Sequence, residues 1–334
     1  MAEGEPKKIV YLFGAGATHA ELHNLDQDLV EQKELGLLIG DVSKRVIEKA
    51  RGWKRYIKDI EMVSGTSGMV MGTSGSLNIE LLISLIESSK VNGWEYKTSY
   101  LKKLVRKDIT QVLSNFDSER FCLHRGLLEL HKHLLTVNKE LLAGLISLNY
   151  EDVLDQAYKE HYGRPNYCFS AADERAPDAI PLLKLHGSFN WKNVRIRDRR
   201  RTIEIIPVGA AKSYLHAPYG FIWNRALEIL IRCDVLRVIG CSLSPNDSHL
   251  IDLLFKAHLE KGKAFDIEII SFTSEGEKIK TNYGFFRGIK LLTEAENAIG
   301  EREPANPFGT WLKHRSLRIL GASAIKGTKH LRKL

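Results

Sequence analysis

The sequence predicts an α/β protein: a mostly parallel sheet with helices on both faces and a large helical insertion. Three observations carry that expectation. A short apolar run, Lys7–Phe13, stops at Gly14 and Gly16, as a buried strand does on entering a glycine turn. From about residue 144 onward, short apolar runs alternate with helical patterns, the arrangement that gives parallel strands joined by crossover helices. Between the two lies a block of more than a hundred residues whose apolar positions recur at helical spacing. A sheet of this kind is Rossmann-like, and its ligands sit beyond the carboxyl ends of its strands.

The elements follow in order. The first strand is Lys7–Phe13. In the block after it, Leu35, Leu38, Val42 and Val46, then Ile79, Leu82 and Ile86, then Leu101, Leu104 and Ile109, then Leu127, Leu130 and Leu134 mark helices. Inside it, residues 64–76 (SGTSGMVMGTSGS) repeat GTSG and read as a flexible loop; the Lys-Ser/Thr ending of a phosphate-binding P-loop is missing. Strands are expected at 144–148, 182–185, 202–206, 235–240, 267–272 and 288–292, and helices at 151–162, 223–232 and 247–261. The domain reading is therefore 1–20 with 144–300 as the sheet domain, 21–143 as the helical insertion, and 301–334 as a basic C-terminal tail.

With 334 residues, 43% hydrophobic and 27% charged, the chain has room for one large or two smaller globular units and is not disordered overall. No apolar run is long enough for a transmembrane helix. The start, MAEGEPKK, lacks an apolar core, so no secretory signal is expected. The four cysteines, Cys122, Cys168, Cys233 and Cys241, form no C-x-x-C pair. Neither a zinc ribbon nor a disulfide framework is expected, and the compartment reads as a reducing cytoplasm. The net charge of +8 is local. Seven Lys/Arg and no acid lie between Trp311 and Leu334, and the remainder holds 42 basic against 41 acidic residues. That argues against a globally basic nucleic-acid binder and leaves a basic arm, read by default as solvated.

Four strand ends carry residues suited to one pocket. Gly14, Ala15, Gly16, Ala17 and Thr18 would let backbone amides approach a pyrophosphate at a helix N-terminus; the third glycine of G-x-G-x-x-G is replaced by His19. Asn149 ends the second strand, followed by Glu151 and Asp152. The Asn caps a helix whose first turn these acids complement, or its amide holds a ribose hydroxyl or a water. His186 ends an apolar run and precedes Gly187 and Ser188; histidine is the usual general base at neutral pH, and glycine allows a ligand close approach. Gly240, Cys241 and Ser242 follow another strand, with Asp247 opening a helix; Cys241 reads as a small buried residue, not a nucleophile.

Together GAGAT (14–18), SLNYE (147–151), KLHGS (184–188) and GCS (240–242) with Asp247 resemble the sirtuin-like family. The closest resemblance is to its zinc-free branch of NAD-hydrolysing effectors in bacterial antiviral defence. Ile206-Pro207, Lys212 and Trp223 also sit where that branch tends to carry Ile-Ile-Pro, a Lys and a Trp. The likeness covers 7–18 and 144–292, with KLHGS its most specific motif. Thr18 stands where a Ser is usual and Glu151 where an Asp is usual. The ligating cysteines of the zinc-binding deacylases and their Pro-Asp-Phe-Arg segment are missing, which argues against deacylation.

The resemblance implies cleavage of the nicotinamide–ribose bond of NAD, with NAD as substrate and no metal. Asn149 would hold a ribose hydroxyl and orient water. His186 would polarise or deprotonate a ribose hydroxyl. The turn 14–18 would hold the pyrophosphate, and Ser242 with its neighbours the adenosine half. Unrestrained NAD hydrolysis kills the cell, so gating by homo-oligomer assembly or by a partner is expected. In this family that partner is often a DNA-translocating ATPase or a nucleic-acid-guided protein. Candidate contact surfaces are the helical insertion, the tail, and the basic segment 192–201, which reads as a hairpin. The competing reading is a non-catalytic module that binds NAD or ADP-ribose and reports its level to a partner.

Overall fold

The computed structural model describes residues 5–50, 78–89, 95–137, 139–170, 173, 179–192, 194–196, 199–201, 203, 205–206, 217–244, 247–262, 265–271, 273–284, 286, 288–292 and 306–334. The glycine-rich segment 64–76, Pro207 and Lys212 lie outside them.

Six strands form one all-parallel sheet: β1 (Lys7–Phe13), β2 (Glu140–Ser147), β3 (Leu182–Lys184), β6 (Val235–Ile239), β7 (Asp266–Ile270) and β8 (Ile289–Leu291), in the order β3-β2-β1-β6-β7-β8. The remaining pair, β4 (Val194–Ile196) and β5 (Arg199–Arg201), is an antiparallel hairpin, as the segment 192–201 suggested. β1 is central, so its side chains feed two cores. Val10 and Leu12 pack on one face against α8 (Tyr219–Arg232) and α9 (Ser248–Lys261), through residues such as Trp223, Ala226, Leu230, Leu250 and Leu254. Ile9, Tyr11 and Phe13 pack on the other, against α1 (Ala15–Leu25), α6 (Leu123–Thr136), α7 (Val153–Tyr162) and α11 (Pro307–Lys326). A strand covered on both faces is apolar where it is covered, which is why Ile9–Phe13 reads as a continuous run after the exposed Lys7 and Lys8.

A third core belongs to the helical unit: α2 (Gln27–Gln32), α3 (Ile39–Lys49), α4 (Ile79–Ser89) and α5 (Glu95–Leu113). It also takes in Leu22, Tyr150, Val153 and Ile205, so it packs onto the sheet domain. Its extent differs from the expected 21–143. α6 falls within that range, but its stripe Leu123, Leu127, Leu130 and Leu134 is buried with the sheet. Helical periodicity shows that a stripe is buried and not against what. The expected strand at 202–206 also differs. Ile203 donates its N–H to Trp191 O at 3.0 Å and Ile206 to His186 O at 2.8 Å. These amides hold loops beside β3, and none of the described residues of this stretch is in a strand.

The chain end is not a solvated arm. α11 starts at Asn306, whose Oδ1 accepts from Gly309 N at 2.9 Å, and it buries Phe308, Trp311 and Leu312. Two of the seven cations of this chain end, Arg315 and Lys329, find acids supplied from far along the chain, while six of the seven stay exposed. Arg315 pairs with Glu140, the Glu129 carboxylate accepts the backbone N–H groups of Lys329, His330 and Leu331, and Glu160 pairs with Lys329. A local charge count cannot see such partners.

Arg237 is the one charged side chain in β6 and is 3% exposed. It forks onto Glu140 at 2.7 and 2.8 Å and reaches Glu268 at 2.7 Å. It also donates to Tyr11 Oη at 3.0 Å, and Tyr11 in turn meets His131 Nε2 at 2.7 Å. Arg237 and Arg315 hold the Glu140 carboxyl down at about 2 against the cost of burial, which acts the other way. Burial, with Arg237 adding to it, pushes His131 down to about 3. Both groups have folded values below their unfolded ones. Their contribution is therefore complete above the unfolded values and is lost as pH falls through the folded ones. Thermal unfolding midpoints should drop as pH falls from about 6.5 toward 3, and further toward 2. Glu140→Gln should lower stability at pH 7 by about 3 kcal/mol and flatten the profile below pH ~4.5, read by calorimetry. An unchanged acid profile would remove Glu140 from this account.

Candidate active site

The chain leaves β1 toward β2 and β3 on one side, then returns to lay β6, β7 and β8 on the other. The crevice at such a switch point lies between the ends of β1 and β6. Here the two ends are locked together. Gly14 N–H donates to Ile239 O at 3.0 Å and Gly16 N–H to Gly240 O at 2.9 Å. A Cβ on Gly14 would lie 2.5 Å from Gly240 O, and one on Gly240, whose φ is +59°, 2.0 Å from Ala17 N. The glycines are thus required by contact with each other. The expected loop at 14–18 is shorter than the motif: α1 begins at Ala15, so Ala15 to Thr18 form its first turn. Ala15 is exposed, and the positive end of the helix faces the crevice. His19, in the place of the third glycine, turns to the helical unit, where its Nδ1 accepts from Leu37 N at 3.3 Å. Burial, with His23 adding to it, pushes it down to about 4.

Asn149 follows β2 and reaches across to α1. Its Nδ2 donates to Gly14 O and to Thr18 Oγ1, both at 3.1 Å. Thr18 donates onward to Glu151 Oε1 at 2.6 Å, and Glu151 Oε2 accepts from Val153 N at 2.6 Å, capping α7. Glu151 is buried and works within the protein, tying α1 to α7. Asp152, at the N-cap position of α7, accepts from Gln156 Nε2 at 3.3 Å.

His186 follows β3 and is 1% exposed. Gly187, with φ +84°, turns the chain behind it, and Gly187 N–H returns to Lys184 O at 3.1 Å. His186 Nε2 lies 3.0 Å from Asp247 Oδ2. The other carboxylate oxygen of Asp247 accepts from Leu250 N at 3.3 Å, so Asp247 caps α9 and faces the histidine at once. Ser188 Oγ and Phe189 N both donate to Tyr150 O, at 3.0 and 2.8 Å, which joins the His186 segment to the Asn149 segment. Trp223 supports the same segment by donating to Leu185 O at 3.2 Å. Cys241 is buried, with its thiol pushed up to about 12 by burial. Cys122 and Cys233 are likewise pushed up to about 12 by burial. Ser242 is exposed on the rim.

Two side chains of the helical unit reach this site and carry no local sequence signal. Glu80, in the first turn of α4, is hydrogen-bonded to the Tyr150 hydroxyl. Arg106 of α5 donates to Phe189 O at 2.9 Å and lies 5.7 Å from the centre of the Phe189 ring. The Tyr150 ring in turn lies 6.4 Å from the His186 ring. Burial raises the Tyr150 phenol well above its ordinary range, helped by Glu80.

The fold and site define a parallel α/β protein with an amide and a histidine–carboxylate pair at its switch-point crevice. Residues 143–284, the stretch that carries Asn149, His186 and Asp247, match the family model of the SIR2-like domain. Among solved structures it is similar to a Sir2 homolog–NAD complex, at 14% identity over 94% of this chain and 91% of that one, with a TM-score of 0.41. A mutant Sir2 homologue in complex with 2'-O-acetyl ADP ribose is similar at 14% identity, 94% and 93% coverage, and a TM-score of 0.42. Sir2Tm bound to a propionylated peptide follows at 12% identity, 93% and 92% coverage, and 0.39. No curated protein matches the sequence.

The glycine contact generates a prediction. Gly240→Ala puts a Cβ into backbone at a positive φ, so it should cost about 3 kcal/mol of stability in denaturant unfolding. Cysteine at the next position already has its Cβ beside Gly14, so Cys241→Ala should cost much less. Equal costs would show that the close approach is not the constraint.

Proposed function

We propose that this protein cleaves the nicotinamide–ribose bond of NAD, releasing nicotinamide and ADP-ribose. The observation that carries the reading is that Asn149 after β2 reaches the end of β1, while His186 after β3 meets Asp247 from the β6 side of the switch point at 3.0 Å, these three residues all lying within the stretch that matches the SIR2-like domain. The sequence motifs support it, because they resemble the zinc-free NAD-hydrolysing branch at the same residues.

In this reaction the C–N bond breaks and its electron pair passes to the nicotinamide nitrogen. The ribose carbon left behind is cationic and is taken by water, which loses a proton. The amide nitrogen of Asn149 is spent on Gly14 and Thr18, so the carbonyl oxygen is the atom it offers. That oxygen accepts from the attacking water and aligns it. Asp247 holds the imidazole of His186 at Nε2 and stabilises positive charge on it. The other ring nitrogen polarises a ribose hydroxyl, which moves negative charge toward the developing cation. The exposed N-terminus of α1 takes the pyrophosphate charge, and Ser242 borders the adenosine half.

His186 is enclosed in this state, so substrate entry needs an opening motion. That suits an enzyme gated by self-assembly or by a partner, and an NAD-depleting role in antiviral defence, as the motif resemblance implies.

Nicotinamide release by purified protein, measured over a wide protein concentration range, tests the reading. Asn149→Ala and His186→Ala should each lower turnover by roughly 100-fold or more. Asp247→Asn keeps a good helix cap and should lose turnover without loss of fold. Near-native release in Asn149→Ala and His186→Ala would overturn the assignment. Binding of NAD with no release at any concentration would favour the sensor module.

A further inference from the structure

The most buried charge near the site is one that the reaction above does not use. Lys184 is 0% exposed at the end of β3, two residues before His186. Its ammonium donates to Asp155 Oδ2 at 2.7 Å and to the backbone carbonyl of Glu151. Asp155 lies in the first turn of α7 and is 4% exposed. Its second oxygen accepts from Tyr167 Oη at 2.5 Å and from Asn190 Nδ2 at 3.3 Å.

A buried ion pair is a poor source of stability, because desolvating two charges offsets most of their attraction, and apolar side chains of the same volume often do as well. What this pair supplies is geometry. One nitrogen joins three pieces of chain: the end of β3 that leads into His186, the carbonyl two residues after Asn149, and the first turn of α7. Asn190, three residues past the Gly187 turn, closes the ring from the far side. Among the described hydrogen bonds, the other direct ties between the two segments are the last rung of the β2–β3 ladder, Leu185 N to Ser147 O at 3.0 Å, and, beyond the turn, Ser188 Oγ and Phe189 N to Tyr150 O; Lys184 is the one side chain that ties them ahead of the turn.

Resting on the reading of Asn149 and His186 as the reacting pair, we propose that Lys184 and Asp155 are positioning residues that set the separation of these two side chains. Lys184 touches neither substrate nor reacting atoms. It acts through the Glu151 carbonyl on one side and the Leu185–His186 connection on the other. An error of about 1 Å in such a placement costs on the order of 100-fold in rate.

The test is the double variant Lys184→Met/Asp155→Asn. Methionine fills the volume of lysine, and asparagine keeps partners for Tyr167 and Asn190, so the fold should persist. Steady-state nicotinamide release should show kcat lowered by roughly 30- to 100-fold with KM for NAD changed less than about threefold. Hydrogen exchange of the unliganded protein should quicken by about tenfold or more at the amides of Val153 and Phe189, and stay unchanged in β1 and β6. A folded variant with kcat within about twofold of the parent and unaltered exchange would overturn the proposal. If the parent itself releases no nicotinamide, the functional reading fails, and the exchange measurement still decides whether the pair holds the two segments. A variant too unstable to purify would be replaced by Lys184→Met alone, read by the same two measurements.

Discussion

Everything at the crevice depends on how closely the ends of β1 and β6 approach. Gly14, Gly16 and Gly240 meet backbone to backbone, and two hydrogen bonds across the contact replace the side chains that cannot fit there. This closeness brings the first turn of α1 under Asn149, because the Asn149 amide can reach Gly14 O and Thr18 Oγ1 only if β1 and β2 end level. It also places the loop after β6 so that Asp247 faces His186 from the other side of the sheet's switch point. The glycines are a packing requirement first, and a route for a ligand only as a consequence of that packing.

The second feature is the use of buried charge. Each buried cation or acid near the sheet ties segments that are distant in sequence. Arg237 joins β6 to β2 and β7, and Glu140 passes the link to Arg315 in the last helix. Glu21 accepts the backbone N–H groups of Cys122, Leu123 and His124 at the start of α6, with His124 Nδ1 at 2.8 Å from the same carboxylate. Lys184 joins β3 to α7. Such groups are expensive to bury without partners and nearly neutral with them, so they act as registration points more than as sources of stability.

The helical unit is a working neighbour of the site. Its core includes Tyr150 and Val153, and Glu80 and Arg106 hold Tyr150 and the Phe189 carbonyl from outside.

The parallel sheet was legible in the sequence because a strand buried on both faces is predominantly apolar, and Ile9–Phe13, the run at 144–148 and, apart from Arg237, the run at 235–240 have that character. The strand-end residues were legible for a related reason: Gly14, Asn149, His186 and Gly240 break apolar runs where the fold class puts its ligands. Other features were settled only by the tertiary structure. That Asp247 pairs with His186 as well as capping α9, that Glu151 is spent on Thr18 and Val153, and that Arg315 answers Glu140 across 175 positions are facts about which surfaces meet. The extent of the helical unit and the packed chain end belong with them. Periodicity and charge counts report each segment's own pattern, and the choice of partner is made when hydrophobic faces close against one another. The sequence by itself determined the architecture and the places where chemistry could sit. Tertiary packing decided which side chains face each other there, because a contact between distant segments leaves no local trace in either one.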